Sequence, residues 1–354
     1  MYKYINCLLV IHMKKKKIYF SKLKLIIVSS VMGTVILALV ITNFFIPVKY
    51  LTAYFHFKKY GNPQGQMRVS YLDVGYGDCT LVELPDGKVM LIDGGTGAYA
   101  NVYKLLNTLN RKGIKAIDYL FCTSVKSEHC GALAQLVKYK TVENAYIPYV
   151  TNINLTDEYA DFYKQLLKSG ASVEIAEYGK GVYNAADNYF FGVLSPSVLS
   201  SSGSEYADMN AKPTALNIDN ASVVIWLQYA GTSFMFLSDA GKDVQTKIAD
   251  SLLLEDGRVL VDGNEVSLSY CNVIKASNHG SSNYTHSALY GLLLHADKSA
   301  AIVSVGKNAK SSPSNIEINF IKQYVGDNLY RTDKDGTVTV TVTAHDYKIS
   351  KEKK

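Results

Sequence analysis

The chain has 354 residues, of which 48% are hydrophobic, so it can bury a large core in one large domain or two modest ones. Its net charge of +6 is unevenly placed: residues 1–59 hold ten lysines and no acid, leaving 27 basic against 31 acidic residues in 60–354. The main body is therefore mildly acidic, which excludes a global electrostatic footprint for nucleic acid. Five cysteines, Cys7, Cys79, Cys122, Cys130 and Cys271, match neither a zinc ribbon nor a disulfide-dense scaffold. They read as buried free thiols, with a Cys122–Cys130 bridge as the alternative.

Residues 1–24 form a basic segment, and translation starts at Met1 or at Met13, which opens M-K-K-K-K. Leu25–Val48 is uncharged and rich in Ile, Val, Leu and Phe. As a helix it is long enough to cross a hydrocarbon core of roughly 30 Å. Lysines dominate its amino-terminal flank, which predicts a single-pass membrane anchor with the amino terminus cytoplasmic and the main domain extracytoplasmic. A cleavable signal peptide is the rival, though no small-x-small cleavage site follows the apolar run. Residues 49–66 read as a juxtamembrane linker, 67–348 as the main domain and 349–354 as a basic tail, frayed over Lys351–Lys354.

In the main domain, Met67–Leu72 is strand-like and runs into Asp73-Val74-Gly75-Tyr76-Gly77-Asp78. Asp73, Gly75, Gly77 and Asp78 read as turn-formers, since glycines two apart permit a tight backbone path. Thr80–Leu84 and Lys88–Ile92 flank Pro85-Asp86-Gly87 as a hairpin, which ends in a second structural loop at Asp93. A helix over Tyr99–Lys112 and a strand over Ala116–Cys122 follow. Then come helix Leu133–Lys140, strand Asn144–Tyr149, helix Asp157–Lys168, strand Ser172–Glu177 and a strand pair near Tyr183–Leu194. Ser195–Thr214, rich in Ser and Gly, reads as a surface loop. Ala221–Tyr229 and Ser233–Leu237 form a second hairpin that delivers Asp239. Later elements are helix Lys242–Leu254, strand Val273–Ala276, strand Ala301–Val305, a helix near Asn315–Val325 and a closing strand pair. Strand clusters with interspersed helices, in two similar halves, predict two sheets packed face to face between helical layers.

The chemistry centres on Thr123–Ala132, T-S-V-K-S-E-H-C-G-A, a polar loop between a strand and a helix. No Walker loop, G-x-S-x-G elbow or dinucleotide fingerprint competes with it. The loop resembles T-H-x-H-x-D-H-x-G-G of the metallo-β-lactamase superfamily. Its neighbours extend the likeness to the corresponding domain of ComEC-type competence proteins. They are Asp73–Asp78, Leu84–Lys88, Leu91–Gly95, Ile117–Leu120, Ser238-Asp239-Ala240, Lys275 with His279-Gly280-Ser281, Ile302–Gly306, Arg331-Thr332-Asp333 and Asp335-Gly336. The resemblance implies an α+β fold, a four-layer αββα sandwich preceded by one transmembrane helix. The multi-spanning channel part of full-length relatives is absent from this sequence.

That resemblance also implies a two-metal hydrolytic site, with phosphodiesters as the substrate class and nucleic acid as a partner by family likeness alone. The matching positions are Ser124, Lys126, Glu128, His129, Asp239 and His279, and the family's H-H-G-S is N-H-G-S here, with Asn278 first. Ser124 and Lys126 stand where two ligand histidines are expected. An ammonium is no ligand and repels a divalent ion by several kcal/mol at 4 Å (about 8 at an effective dielectric of 20). Glu128, His129, Asp239 and His279 remain as ligands for one metal, zinc or manganese, with Asp239, His129 and Glu128 as the catalytic set. A second reading needs no metal: Lys126 fills the vacated space and neutralises Asp239 or Glu128. The sequence thus leaves open a one-metal hydrolase and an inactive binding or scaffold domain, and identifies neither substrate nor protein partner.

Overall fold

The computed structural model describes residues 22–45, 65–149, 156–196, 215–307, 309 and 312–353. The chain divides into two compact units, 1–52 and 53–354. In the first, Lys22–Phe45 is one helix of 24 residues. Its described side chains, 26–38, 40 and 41, are exposed. Among the described residues no helix is long and apolar enough to cross a membrane. Those side chains alone fall short of the ~20 consecutive apolar residues that a span requires. Residues 1–21 of the expected basic segment (1–24), the end of the expected anchor (46–48) and most of the linker (49–64) lie outside the described residues.

The second unit is built on two large sheets. One runs, in spatial order, Tyr347–Lys351, Val338–Val342, Met67–Tyr71, Thr80–Glu83, Val89–Ile92, Ala116–Phe121, Thr141–Ile147 and Ser172–Ile175. The other runs Leu329–Arg331, Ala300–Val303, Val273–Lys275, Thr232–Phe236, Val224–Tyr229, Tyr189–Ser195 and Gly181–Asn184. Alternation along the strands sends Val69, Met90, Ile92 and Phe121 of the first sheet toward Phe191, Ile225, Phe234 and Val273 of the second. These residues make one continuous buried cluster. The opposite face of the second sheet, through Trp226, Met235, Ile274 and Val303, is covered by Val244, Ile248, Leu289, Ile318 and Ile321 of three helices. Leu81, Leu91 and Leu120, on the outer face of the first sheet, are also buried. So are the apolar faces of helices Tyr99–Lys112, Leu133–Tyr139 and Asp157–Ser169. The result is the expected mixed sandwich of two large sheets with helices.

Local chemistry sets most boundaries. Helix Asp157–Ser169 starts where the Thr156 side chain accepts from the Tyr159 amide, and it stops at Gly170, whose φ of 82° needs no Cβ. The fifth strand begins three residues earlier than expected, at Thr141. An unanticipated hairpin pairs Arg258–Val261 with Asn264–Ser267 around Asp262-Gly263. The tail is a correction: Lys351 ends a strand rather than fraying. The Glu352 amide donates to Thr337 O at 2.9 Å and the Lys353 amide to Asp335 O at 2.8 Å. The antiparallel partner strand holds the chain beyond residue 348. Of the Ser195–Thr214 loop, 197–214 lie outside the described residues.

Cys79, Cys122, Cys130 and Cys271 are buried free thiols, so the Cys122–Cys130 bridge is absent. Burial pushes all four up, Cys271 to about 12. Above an unfolded thiol pKa near 8.5, the unfolded chain loses protons that the folded chain keeps, so stability falls as pH rises. Lys140, which burial lowers to about 8, acts oppositely and offsets one thiol. The net expectation is a loss of about 4 kcal/mol per pH unit near pH 9.5. Urea midpoints at pH 8, 9 and 10 under reducing conditions check it; a flat midpoint would mean that the thiols meet water in the folded state.

Candidate functional site

The parallel strands Val89–Ile92 and Ala116–Phe121 of one sheet, and Thr232–Phe236, Val273–Lys275 and Ala300–Val303 of the other, all deliver loops from their carboxyl ends. Those ends are where open α/β sheets hold their ligands. Asp93 follows the first of these strands, and Thr123 and the central loop follow the second. Asp239 lies three residues past the third, Lys275 ends the fourth, and Ser304 follows the fifth. His129 comes from the short helical turn Ser127–Cys130 and His279 from the turn Ser277–Gly280.

Asp93, Ser238, Asn278 and His279 all have φ between 42° and 60°, a left-handed conformation that side chains disfavour. Such strain persists where surrounding contacts over-determine it, as at a site. Gly77 solves a related problem. At its φ of 132° a Cβ would run into Glu128 O, and the close approach lets the Asp78 amide donate to that same oxygen at 3.0 Å. Gly77→Ala is therefore expected to cost about 1–3 kcal/mol and to displace Asp78. A thermal melt measures the first effect. An unchanged melting temperature would show that the loop yields without strain.

Two groups of buried ligand-type atoms result: His129, Asp239 and His279, and Asp78, Asp93 and His129. His129 Nε2 lies 3.1 Å from Asp239 Oδ2, and His279 Nε2 lies 3.9 Å from Asp239 Oδ1. On the other side of each ring the contacts are orienting ones. His129 Nδ1 is 2.9 Å from Asp93 Oδ2, and His279 Nδ1 is 2.9 Å from Ser304 O. Asp93 is fixed in turn by the Thr123 amide at 2.7 Å and by the Thr123 hydroxyl at 2.5 Å. His279 Nε2 and Asp239 Oδ1 have no hydrogen-bond partner among the described residues, although both are buried.

Charge accounts for the ionisation of the group. Burial alone would lower His129, but the Asp239 and Asp93 carboxylates outweigh it and raise the imidazole well above its usual range. Burial would raise Asp239; His129, Lys126 and His279 hold it well below the usual carboxylate range instead. Asp78 is likewise held low against its burial, chiefly by Lys275 at 2.5 Å and then by His279 at 3.3 Å.

Of the expected site residues, His129, Asp239 and His279 come together. Glu128 is half-buried and belongs to neither group, although its backbone oxygen holds Asp78. Ser124 is buried, and its hydroxyl accepts from the Lys126 amide at 3.4 Å. Lys126 Nζ meets Asp239 Oδ2 at 2.9 Å, as the metal-free reading expected, but its other partner is Asp219 rather than Glu128. Asp73 and Gly75 are turn residues, the Gly75 amide donating to Asp73 Oδ1 at 3.3 Å. Asp78 and Asp93 do more than turn the chain, because both carboxylates face His129 at 3.7 and 2.9 Å. Asp219, from the turn of helix Ala215–Asn220, was missed. The available signal was Lys126 itself, since a cation placed in a buried site requires a counter-charge.

Two packed sheets whose strand ends gather histidines and aspartates make a metallo-β-lactamase-like sandwich. Residues 72–197 match the model of the metallo-beta-lactamase superfamily. The chain is similar to ComE operon protein 3 of Bacillus subtilis (strain 168), 24% identical over 285 residues. The match covers 76% of this chain and 32% of that protein, so the chain spans about a third of that relative's length. Among solved structures it is similar to the CmlA beta-hydroxylase E377D mutant, with a TM-score of 0.43 and 12% identity over 78% of this chain and 54% of that one. It is also similar to a metallo-beta-lactamase of Cronobacter sakazakii with a HARLDQ motif, with a TM-score of 0.31 and 12% identity over 48% and 61%.

Proposed function

We propose that the main domain is a hydrolase-type domain with one divalent metal, zinc or manganese, held by His129 Nε2, His279 Nε2 and one carboxylate oxygen of Asp239. The observation that carries this is the orientation of the two rings. Each turns its Nδ1 to a fixed oxygen, Asp93 Oδ2 or Ser304 O, and leaves a buried Nε2 facing Asp239, at 3.1 Å for His129 and 3.9 Å for His279. Metal-ligating histidines are oriented in this way by carboxylates and backbone carbonyls. Two imidazoles and a carboxylate form the ligand set of several catalytic sites that keep a fourth position open. A divalent ion held there would polarise a phosphoryl or carbonyl oxygen and make hydroxide available near neutral pH.

The residues of the chain do the rest. Asp93 orients His129, and Asp239 stays ionised because cations surround it. Asp78 balances Lys275 beside His279. Glu128 takes no part in this ligand set. The substrate class is a phosphodiester, by resemblance to ComEC-type proteins. The domain is held outside the cytoplasmic membrane by residues 25–48, a reading supported by the uncharged sequence of that stretch and its lysine-rich flank.

One observation favours an inactive scaffold instead: both nitrogens of His129 face carboxylates, which a protonated ring satisfies without metal. Metal analysis of the purified chain separates the readings. One equivalent of zinc or manganese is expected, lost in His279→Ala, with manganese-dependent hydrolysis of a generic phosphodiester. No bound metal and no hydrolysis would favour the scaffold, and hydrolysis that survives His279→Ala would rule out this ligand set.

A further inference from the structure

Lys126 lies at the edge of this centre and joins it to a carboxylate outside the ligand set. Its Nζ is ion-paired with Asp219 Oδ1 and meets Asp239 Oδ2 at 2.9 Å, so one ammonium stands between two buried carboxylates. Asp219 is held from its other side. The Tyr284 hydroxyl donates to Oδ2 at 2.5 Å and the Asn278 side-chain amide approaches the same atom at 3.5 Å. Lys126 and Asn278, far apart in sequence, thus converge on one carboxylate. Asp239 Oδ1 is buried without a hydrogen-bond partner next to them.

We infer that Lys126 is a tethered cation filling a second metal position framed by Asp219 and Asp239, and that it limits the centre to a single ion. This rests on the one-metal reading above. Two carboxylates this buried repel each other unless a cation lies between them. An ammonium supplies the charge and up to three donors, but it cannot leave and cannot bind water as a metal does. The chain thereby keeps Asp219 and Asp239 in place whether or not a second ion is available. Exchanging the ammonium for imidazole would leave two carboxylates and a nitrogen around one point, with Asp239 shared between the two positions. Such a donor set suits zinc.

The test is metal stoichiometry of the full chain after zinc loading and removal of excess. It compares the native protein, Lys126→His and Lys126→His/Asp219→Asn, with folding followed by circular dichroism. The expected values are one, two and one equivalents. Native protein at one with Lys126→His also at one overturns the inference and leaves the one-metal reading standing, whereas a native chain that already binds two overturns the inference and the one-metal reading together. No zinc in any chain overturns both. Where the histidine variant fails to fold, Lys126→Ala vacates the position without added bulk. It is expected to take up a second equivalent at raised zinc, and saturation at one would overturn the inference.

Discussion

Lys275→Met is expected to cost about 3–5 kcal/mol of stability, the usual cost of breaking a buried ion pair from one side. Lys275 Nζ lies 2.5 Å from Asp78 Oδ2, and both side chains are nearly inaccessible. The variant leaves Asp78 facing His279 and His129 at 3.3 and 3.7 Å, without its closest cation. Adding Asp78→Asn removes the stranded charge, so the double variant should recover part of the loss. Urea unfolding of the two single variants and the double variant completes the cycle. Purely additive effects would show that the pair is not coupled. Acidification gives a second reading: as Asp78 becomes protonated in the Lys275→Met chain, the deficit should narrow.

That pair also shows where the sequence was legible. Hairpin turns such as Pro85-Asp86-Gly87 and Ala230-Gly231-Thr232 are local chemistry, and the strands beside them lie close to their expected positions. The run of short motifs placed His129, Asp239 and His279 together, because each sits at a strand end whose order the motifs preserve. Asp219 had no such signal. It occupies a six-residue helix after the Ser- and Gly-rich stretch, and only the folded chain brings it to Lys126, 93 positions earlier. Asp78 and Asp93 illustrate a different limit. A D-G or G-D pair looks the same whether the carboxylate caps a turn or points inward, and the left-handed φ of 60° at Asp93 fits either use. The hairpin around Asp262-Gly263 was missed, although its D-G turn is a local signal of the same kind. Its strands alternate exposed and buried along Arg258–Val261 and pack against strand Tyr189–Ser195, with Val261 beside Gly192, instead of joining either large sheet.

Asp239→Asn is expected to have the largest consequences, because three basic side chains meet at this carboxylate. His129 Nε2 and Lys126 Nζ lie 3.1 and 2.9 Å from Oδ2, and His279 Nε2 lies 3.9 Å from Oδ1. Loss of its charge removes one of three proposed ligands, so zinc retention should fall at least about 100-fold, more than the 10–100-fold typical of second-shell losses. Stability at pH 7 should fall by about 3–5 kcal/mol, since Lys126 and His129 lose a shared buried partner. The pH dependence has a definite sign. The folded carboxyl of Asp239 is held below its unfolded value near 3.9, so its contribution is present above that pH and disappears as pH falls through the folded pKa. His129 is raised, so its contribution is present below about 6.5 and is lost as pH rises through its folded pKa. Native protein and variant should therefore differ most between these limits, near pH 4–6.5, and should converge toward pH 2. Urea midpoints from pH 2 to 9 on metal-stripped protein measure the profile. A gap that persists unchanged at pH 2 would mean that Asp239 stabilises the fold through packing and not through its charge.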